Sequence, residues 1–215
     1  SEAQAKSIAL ANHTLYRNLE EWSVPRELRM PLITVAIATK DRQEMLVESI
    51  NSVRYQSFQE FEIVVVDDGS EDQDNVKNLV EELGDPRIKF VAHSESLGVA
   101  AARNTAAQHS NCLLTAVHDD DDLMLPDRLL DGIAPLSDTV DATYGSWINF
   151  DDATGELRGF LTRTGFNEKM IAFNGAGPGH STWTVPTWLI KQFGYDERLT
   201  SSVDHELASR LMNSG

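Results

Sequence analysis

Between Pro31 and Val117 the chain repeats one theme, a short apolar run rich in β-branched residues followed by a stretch of helical periodicity. Leu32–Ala38 is the first run, and Gln43–Ser57 follows with Met45, Leu46, Ile50 and Val53 on one helical face. Phe61–Val66, Ile88–Ala92 and Cys112–Val117 are further strand-length runs. Helical patterns separate them, over Asn75–Leu83, closed by Gly84 and Pro86, and over the alanine-rich Val99–Gln108. Strand–helix alternation of this kind makes a mostly parallel sheet with helices on both faces. The sequence predicts an α/β domain.

Beyond Leu130 the rhythm loosens. Ala142–Phe150 and Leu157–Leu161 flank the polar stretch Asp151–Glu156, which predicts a hairpin. Asn174–Gly179 reads as a glycine-rich loop, Thr182–Val185 as a short strand and Val203–Met212 as a final helix. Ahead of Pro31, Ile8, Ala11, Leu15, Leu19 and Trp22 recur at three- and four-residue steps, an amphipathic helix ending near Pro25. Residues 1–30 are therefore expected to form a helical extension and residues 31–215 one domain of catalytic size. Two placements of the extension stay open, against its own domain or against a further domain or subunit.

Charge narrows the function. Lys and Arg number 18 against 34 Asp and Glu, a formal net charge of −16 over 215 residues. Phosphate backbones are held by clustered Lys and Arg, so a general nucleic-acid binder is excluded, and anionic lipid is a poor partner. The longest apolar runs are strand-length, and no basic segment followed by an apolar stretch opens the chain. Cys112, the single cysteine, lies in an apolar run and reads as a buried thiol in a reducing compartment. The expectation is a cytoplasmic protein without a transmembrane segment.

Two acidic corners stand out. Asp119 to Asp122, four aspartates in a row, directly follow the fourth strand run. They form either a solvated loop or a place where a cation reconciles adjacent carboxylates, and hard oxygen ligands select Mg²⁺ or Mn²⁺. The carboxyl end of a parallel strand is where such sheets place their sites, which favours the cation. Asp67-Asp68-Gly69-Ser70 ends the second run. It reads as a strand-to-helix turn with Ser70 or Asp72 as cap, or as a carboxylate facing a base or ribose.

In order along the chain come Thr34-Val35-Ala36-Ile37-Ala38-Thr39, Val65-Val66-Asp67-Asp68-Gly69-Ser70 and Leu97-Gly98-Val99-Ala100-Ala101-Ala102-Arg103-Asn104. Asp119-Asp120-Asp121-Asp122-Leu123-Met124-Leu125-Pro126-Asp127-Arg128-Leu129, Gly194-Tyr195-Asp196-Glu197 and Asp204-His205-Glu206-Leu207 complete the series. This series resembles the inverting glycosyltransferases of family 2. The resemblance implies the A-type glycosyltransferase fold (GT-A), a Rossmann-like nucleotide-binding half joined to an acceptor-binding half, with residues 31–215 as the glycosyltransferase catalytic domain.

It also implies roles. Thr39 would open toward the nucleotide and Asp68 would accept from the base, uracil in many relatives. Arg103 would lie near the donor, and His180 would line the donor sugar. Asp119, Asp120 and Asp121 would cover the metal motif, with Asp121 the direct ligand of Mn²⁺ or Mg²⁺. Asp204 would be the general base. Partners implied are a nucleotide-sugar donor, most simply a UDP-sugar, and a carbohydrate or glycoconjugate acceptor.

The chain departs from the family pattern at Lys40, where an aromatic often follows the threonine, and at Val203, where a glutamate commonly precedes the base. Glu206 is then the candidate supporting acid, and Lys40 or Arg42 could reach a phosphate. Trp147, Trp183 and Trp188 are either a sugar platform or packing residues. A sugar-phosphate nucleotidyltransferase is the enzyme alternative, but Ala38-Thr39-Lys40-Asp41-Arg42 lacks the glycines of its phosphate loop. A catalytically silent nucleotide-sugar-binding module of the same fold is the other.

Overall fold

β1 (Ile33–Thr39) and β2 (Phe61–Asp67) are buried along nearly their whole length, which is why their sequences lack polar alternation. The computed structural model describes residues 31–137, 140, 142–162 and 179–213. The predicted N-terminal helix and the Asn174–Pro178 part of the glycine-rich loop lie outside the described residues. β3 (Ile88–Ala92) pairs with β2, and β4 (Leu114–Asp119) with β1, all in parallel. β7 (Thr184–Pro186) closes the sheet antiparallel to β4, giving the order β3-β2-β1-β4-β7.

The strand period of two divides the core between the faces. On one, Ile33, Val35 and Ile37 of β1 and Ile63 and Val65 of β2 meet Leu46, Ile50 and Val53 of α1 (Gln43–Arg54). Val76 and Val80 of α2 (Gln73–Glu82) and Leu129 and Ile133 of α4 (Arg128–Ile133) extend that layer. Leu46, Ile50 and Val53 are each 0% exposed, and burial of such a side chain stabilises by about 1.5–3 kcal/mol. On the other face Ala36, Val64 and Val66 pack on Ala102 and Ala106 of α3 (Val99–His109), whose small side chains let helix and sheet approach. Val117 and Val185 meet Ile190 of α5 (Thr187–Phe193) and Val203 and Leu207 of α6 (Val203–Asn213). The mostly parallel, two-faced sheet is the predicted fold class.

Several boundaries differ from expectation for local reasons. α2 starts at Gln73 because the Asp72 side chain accepts from the Asn75 backbone N–H at 3.1 Å, which settles the cap in favour of Asp72. β4 starts at Leu114, after the Asn111 N–H has turned aside to Glu62. Cys112 is buried, and burial pushes its thiol up to about 12, as an inert thiol should be. Met45, expected on the buried face of α1, is 43% exposed. The predicted strand over Ala142–Phe150 shrinks to β5 (Trp147–Phe150), which pairs with β6 (Leu157–Leu161), while Thr143 bridges instead to Thr184. The strand predicted from Thr182 is preceded by a 3₁₀ turn, His180–Thr182. Asp151 belongs to the hairpin turn, accepting from the backbone N–H and hydroxyl of Thr154.

The order of strands places a switch point between β1 and β4, whose following connections leave in opposite directions along the sheet. Crevices in such sheets open there, outside the carboxyl ends. The register aligns Thr39 with Asp67 and Ala38 with Asp119, so the polar residues that end three strands form one row.

Candidate active site

The row is built from loops tied to one another. Asp41, in the left-handed region at φ 54°, donates its N–H to the Ser70 hydroxyl and accepts from the Glu71 N–H at 2.8 Å. This joins the loop after β1 to the loop after β2. α1 supports the loop after β4, because Ser49 donates to the Asp119 carbonyl and the Met124 N–H donates to the Ser52 hydroxyl.

Asp119 accepts from Arg103 Nη2 at 2.7 Å, which brings the α3 arginine to the acidic corner. Asp120 is buried, accepting from the Thr39 hydroxyl at 2.8 Å and from Arg42 Nη1 at 3.0 Å. Burial pushes its carboxyl above the ordinary range, while Thr39 and Arg42 oppose the rise. Asp121 is half-exposed and accepts from the same Arg42 nitrogen at 2.7 Å. Burial likewise raises Asp122, partly offset by a hydrogen bond with Ser181. Among the described residues no three His, Cys, Asp or Glu side chains converge as a ready metal cage.

Asp68 stands at the end of β2, and the chain itself occupies its carboxylate. One oxygen faces His93 Nδ1 and the Leu97 N–H, and the other accepts from the Ser96 hydroxyl and the Gly98 N–H, all between 2.8 and 2.9 Å. Burial opposes ionisation, but these bonds more than offset it and hold the carboxyl below its usual range. Asp68 thus fixes the loop that launches α3, at the helix end that favours an anion. Beside it Asp67 is fully buried, with Oδ1 bonded to Ser70 and Oδ2 without a partner among the described residues.

His180 lies in the wall, 8% exposed, rather than on its surface. Its Nε2 is 2.9 Å from the Tyr195 hydroxyl, and its ring stands edge-on to Trp183 and Tyr195. Burial holds this imidazole neutral. Trp183 is likewise buried, so it packs instead of forming a platform. Tyr195 links the two sides of the crevice. The Arg103 guanidinium lies over its ring at 5.9 Å, Asn104 clamps its backbone through both side-chain atoms, and burial raises its hydroxyl pKa. The charges of Asp119 and of Asp204, in the first turn of α6, add to that rise.

Asp204 is partly buried, with His205 Nε2 3.7 Å away. The His205 side chain is itself partly sheltered beside it. Glu206, the candidate supporting acid, is committed elsewhere. It pairs with Arg210, whose guanidinium also donates to the carbonyls of Phe193 and Gly194. What the sequence did not show are the lateral contacts, the bridge that Arg42 makes between Asp120 and Asp121, the clamp of Asn104 on Tyr195 and His93 on Asp68. Each acts on a partner at least 25 positions away.

Comparison with known proteins shows the family and the fold. A family model described as glycosyl transferase family 2 matches residues 34–192. The chain belongs to glycosyl transferase family 2. It is 28% identical over 194 residues to an uncharacterized glycosyltransferase, MJ1057, of Methanocaldococcus jannaschii, covering 86% of this chain and 66% of that protein. It is 25% identical over 189 residues to the putative colanic acid biosynthesis glycosyl transferase WcaA of Escherichia coli, covering 85% of this chain and again 66% of the relative. Over 129 residues it is 30% identical to the E. coli UDP-Glc:alpha-D-GlcNAc-diphosphoundecaprenol beta-1,3-glucosyltransferase WfgD, covering 59% of this chain and 50% of that one. The chain thus spans about two thirds or less of the length of these relatives. The crystal structure of S. aureus TarS 1-349 superimposes with a TM-score of 0.63 at 24% identity, over 81% of this chain and 53% of that chain. The mannosyltransferase PcManGT of Pyrobaculum calidifontis, in complex with GDP-Man and Mn2+, gives 0.64 at 17%, over 98% of this chain and 61% of that one. Family 2 membership and the fold of these neighbours match the sheet described above, and among the described residues no helix is long and apolar enough to cross a membrane.

Proposed function

We propose that this family 2 domain is an inverting glycosyltransferase that moves a sugar from a nucleotide-diphosphate sugar to an acceptor hydroxyl. The observation that carries the reading is the row of Thr39, Asp67 and Asp119–Asp121 that the strand register assembles at the switch point. A UDP-sugar is the proposed donor, since WfgD is named for UDP-Glc and TarS has been solved with UDP. GDP is the competing nucleotide, as in the PcManGT complex. The acceptor is a carbohydrate or glycoconjugate.

The donor set fits a divalent cation. Its oxygens are hard, and a cation, the Arg42 guanidinium, already sits between Asp120 and Asp121. Mg²⁺-type ions are commonly held by one or two carboxylates plus substrate phosphates, which suits a corner without a complete protein cage. Asp121, with Asp119 beside it, would hold Mn²⁺ or Mg²⁺. When bound, the cation supplies neutralisation of charge on the departing diphosphate.

The chain's own residues do the rest. Thr39 and Asp120 border the nucleotide, Arg103 stands behind Asp119 near the donor, and His180 fixes Tyr195 from below. The acceptor hydroxyl is a weak nucleophile with a high pKa, so a positioned carboxylate must take its proton as attack proceeds. Asp204 is the proposed base, and its partial exposure supports access by an acceptor. A single displacement at the anomeric carbon then inverts configuration.

Nucleotide release from a panel of UDP- and GDP-sugars, with wild type and Asp204→Asn, tests the reading. The variant should lose transfer by at least about a hundredfold, the scale of general-base catalysis, and keep UDP affinity within about twofold. Wild-type turnover in Asp204→Asn would remove Asp204 from the role of base.

A further inference from the structure

Arg42 occupies the N-cap position of α1, shortly after β1 ends, and its side chain reaches the loop after β4 instead of capping the helix. One nitrogen, Nη1, bridges Asp120 Oδ1 at 3.0 Å and Asp121 Oδ2 at 2.7 Å. The two bridged carboxylates differ sharply. Asp120 is buried and also held by Thr39, whereas Asp121 is 44% exposed and has no other hydrogen bond among the described residues. Nε and Nη2 of Arg42 have no partner there either, and half of the side chain is exposed. The guanidinium therefore bridges a buried carboxylate and a solvent-exposed one, the shorter contact being to Asp121, and its Nε and Nη2 form a fork of donors unused among the described residues.

We propose that Arg42 is an internal counter-ion with two stations. In the empty site it neutralises Asp121 and competes with a divalent cation for that carboxylate. With metal and donor present it gives up Asp121, keeps to the Asp120 side and donates its free fork to the donor diphosphate. The inference rests on the metal-dependent donor reading above. Its physical basis is direct. A cation within 3 Å of a carboxylate opposes a second cation there, and a guanidinium matches phosphate oxygens bidentately. A lysine would keep the charge but not the fork.

The two stations predict effects of opposite sign from one substitution. Electron paramagnetic resonance of free Mn²⁺ measures metal affinity without nucleotide, and calorimetry measures UDP affinity at saturating Mn²⁺. Arg42→Gln should bind Mn²⁺ alone about two- to fivefold more tightly, the scale of a partly exposed ion pair. The same variant should bind UDP with Mn²⁺ about tenfold more weakly, the scale of a lost charged hydrogen bond. Arg42→Lys, melting like wild type, should stay near wild type for Mn²⁺ alone and fall between the other two for UDP. Changes of the same sign in Arg42→Gln, or no change in either titration, would overturn the two-station inference while leaving metal-dependent binding in place. A wild type whose UDP affinity ignores Mn²⁺ would overturn both.

Discussion

Asp119 pairs with Arg103, Asp120 is buried between Thr39 and Arg42, Asp121 reaches solvent, and Asp122 turns toward Ser181. The run of four identical residues is plain in the sequence, but this separation of environments is not. Each is decided by a partner from another element, 16 residues away for Arg103 and 81 for Thr39. Asp68 teaches the same lesson, since its donors lie 25 to 30 residues downstream in a loop with no periodic signal. Asp85 belongs to this scale too. Hydrogen bonds from Arg87 lower it to about 2 from the ordinary 3.8, burial opposes the shift, and Arg54 adds a further bond. Both Asp68 and Asp85 are depressed in the fold, so the stability they contribute is present above about pH 4 and is lost as pH falls through their folded values. The thermal midpoint should drop between about pH 4 and pH 2, and Asp85→Asn should flatten that drop. An unchanged slope in Asp85→Asn would mean that its pairs with Arg54 and Arg87 contribute nothing.

Among elements, the strands were the most legible part of the chain. β1, β2 and β4 are runs dominated by β-branched and small apolar residues and bounded by polar corners, as strands buried on both faces are, whereas β3, at the sheet edge, is only partly buried. α5 escaped notice because seven residues starting beside Pro186 are too few to display a helical period. The hairpin of β5 and β6 was visible through its turn, not its strands, which are largely exposed. Gly69 shows how one position serves two elements. Its φ of +73° makes the turn after β2, and a Cβ there would lie 2.5 Å from the Ser96 backbone nitrogen. Gly69→Ala would therefore strain its own turn and push away the loop that Asp68 holds. Denaturant unfolding should register a loss of about 1–3 kcal/mol, together with weaker UDP binding. Full stability in Gly69→Ala would contradict the close approach.

For the whole molecule, a net charge of −16 and a strongly anionic proposed donor make a cation the natural mediator. The fold aligns the carboxyl ends of β1, β2 and β4, and so joins two acidic corners that lie far apart in the sequence, and it brings Arg42, at the N-cap of α1, and Arg103, on α3, onto the second corner. Calorimetric titration of UDP and GDP into the full chain, each with and without Mn²⁺, tests that arrangement most directly, with Asp121→Ala as the control. UDP should bind with Mn²⁺, bind at least about tenfold more weakly without it, a step of about 1.4 kcal/mol, and lose the metal effect in Asp121→Ala. Tight UDP binding that is indifferent to Mn²⁺ and to Asp121→Ala would contradict the proposed donor site.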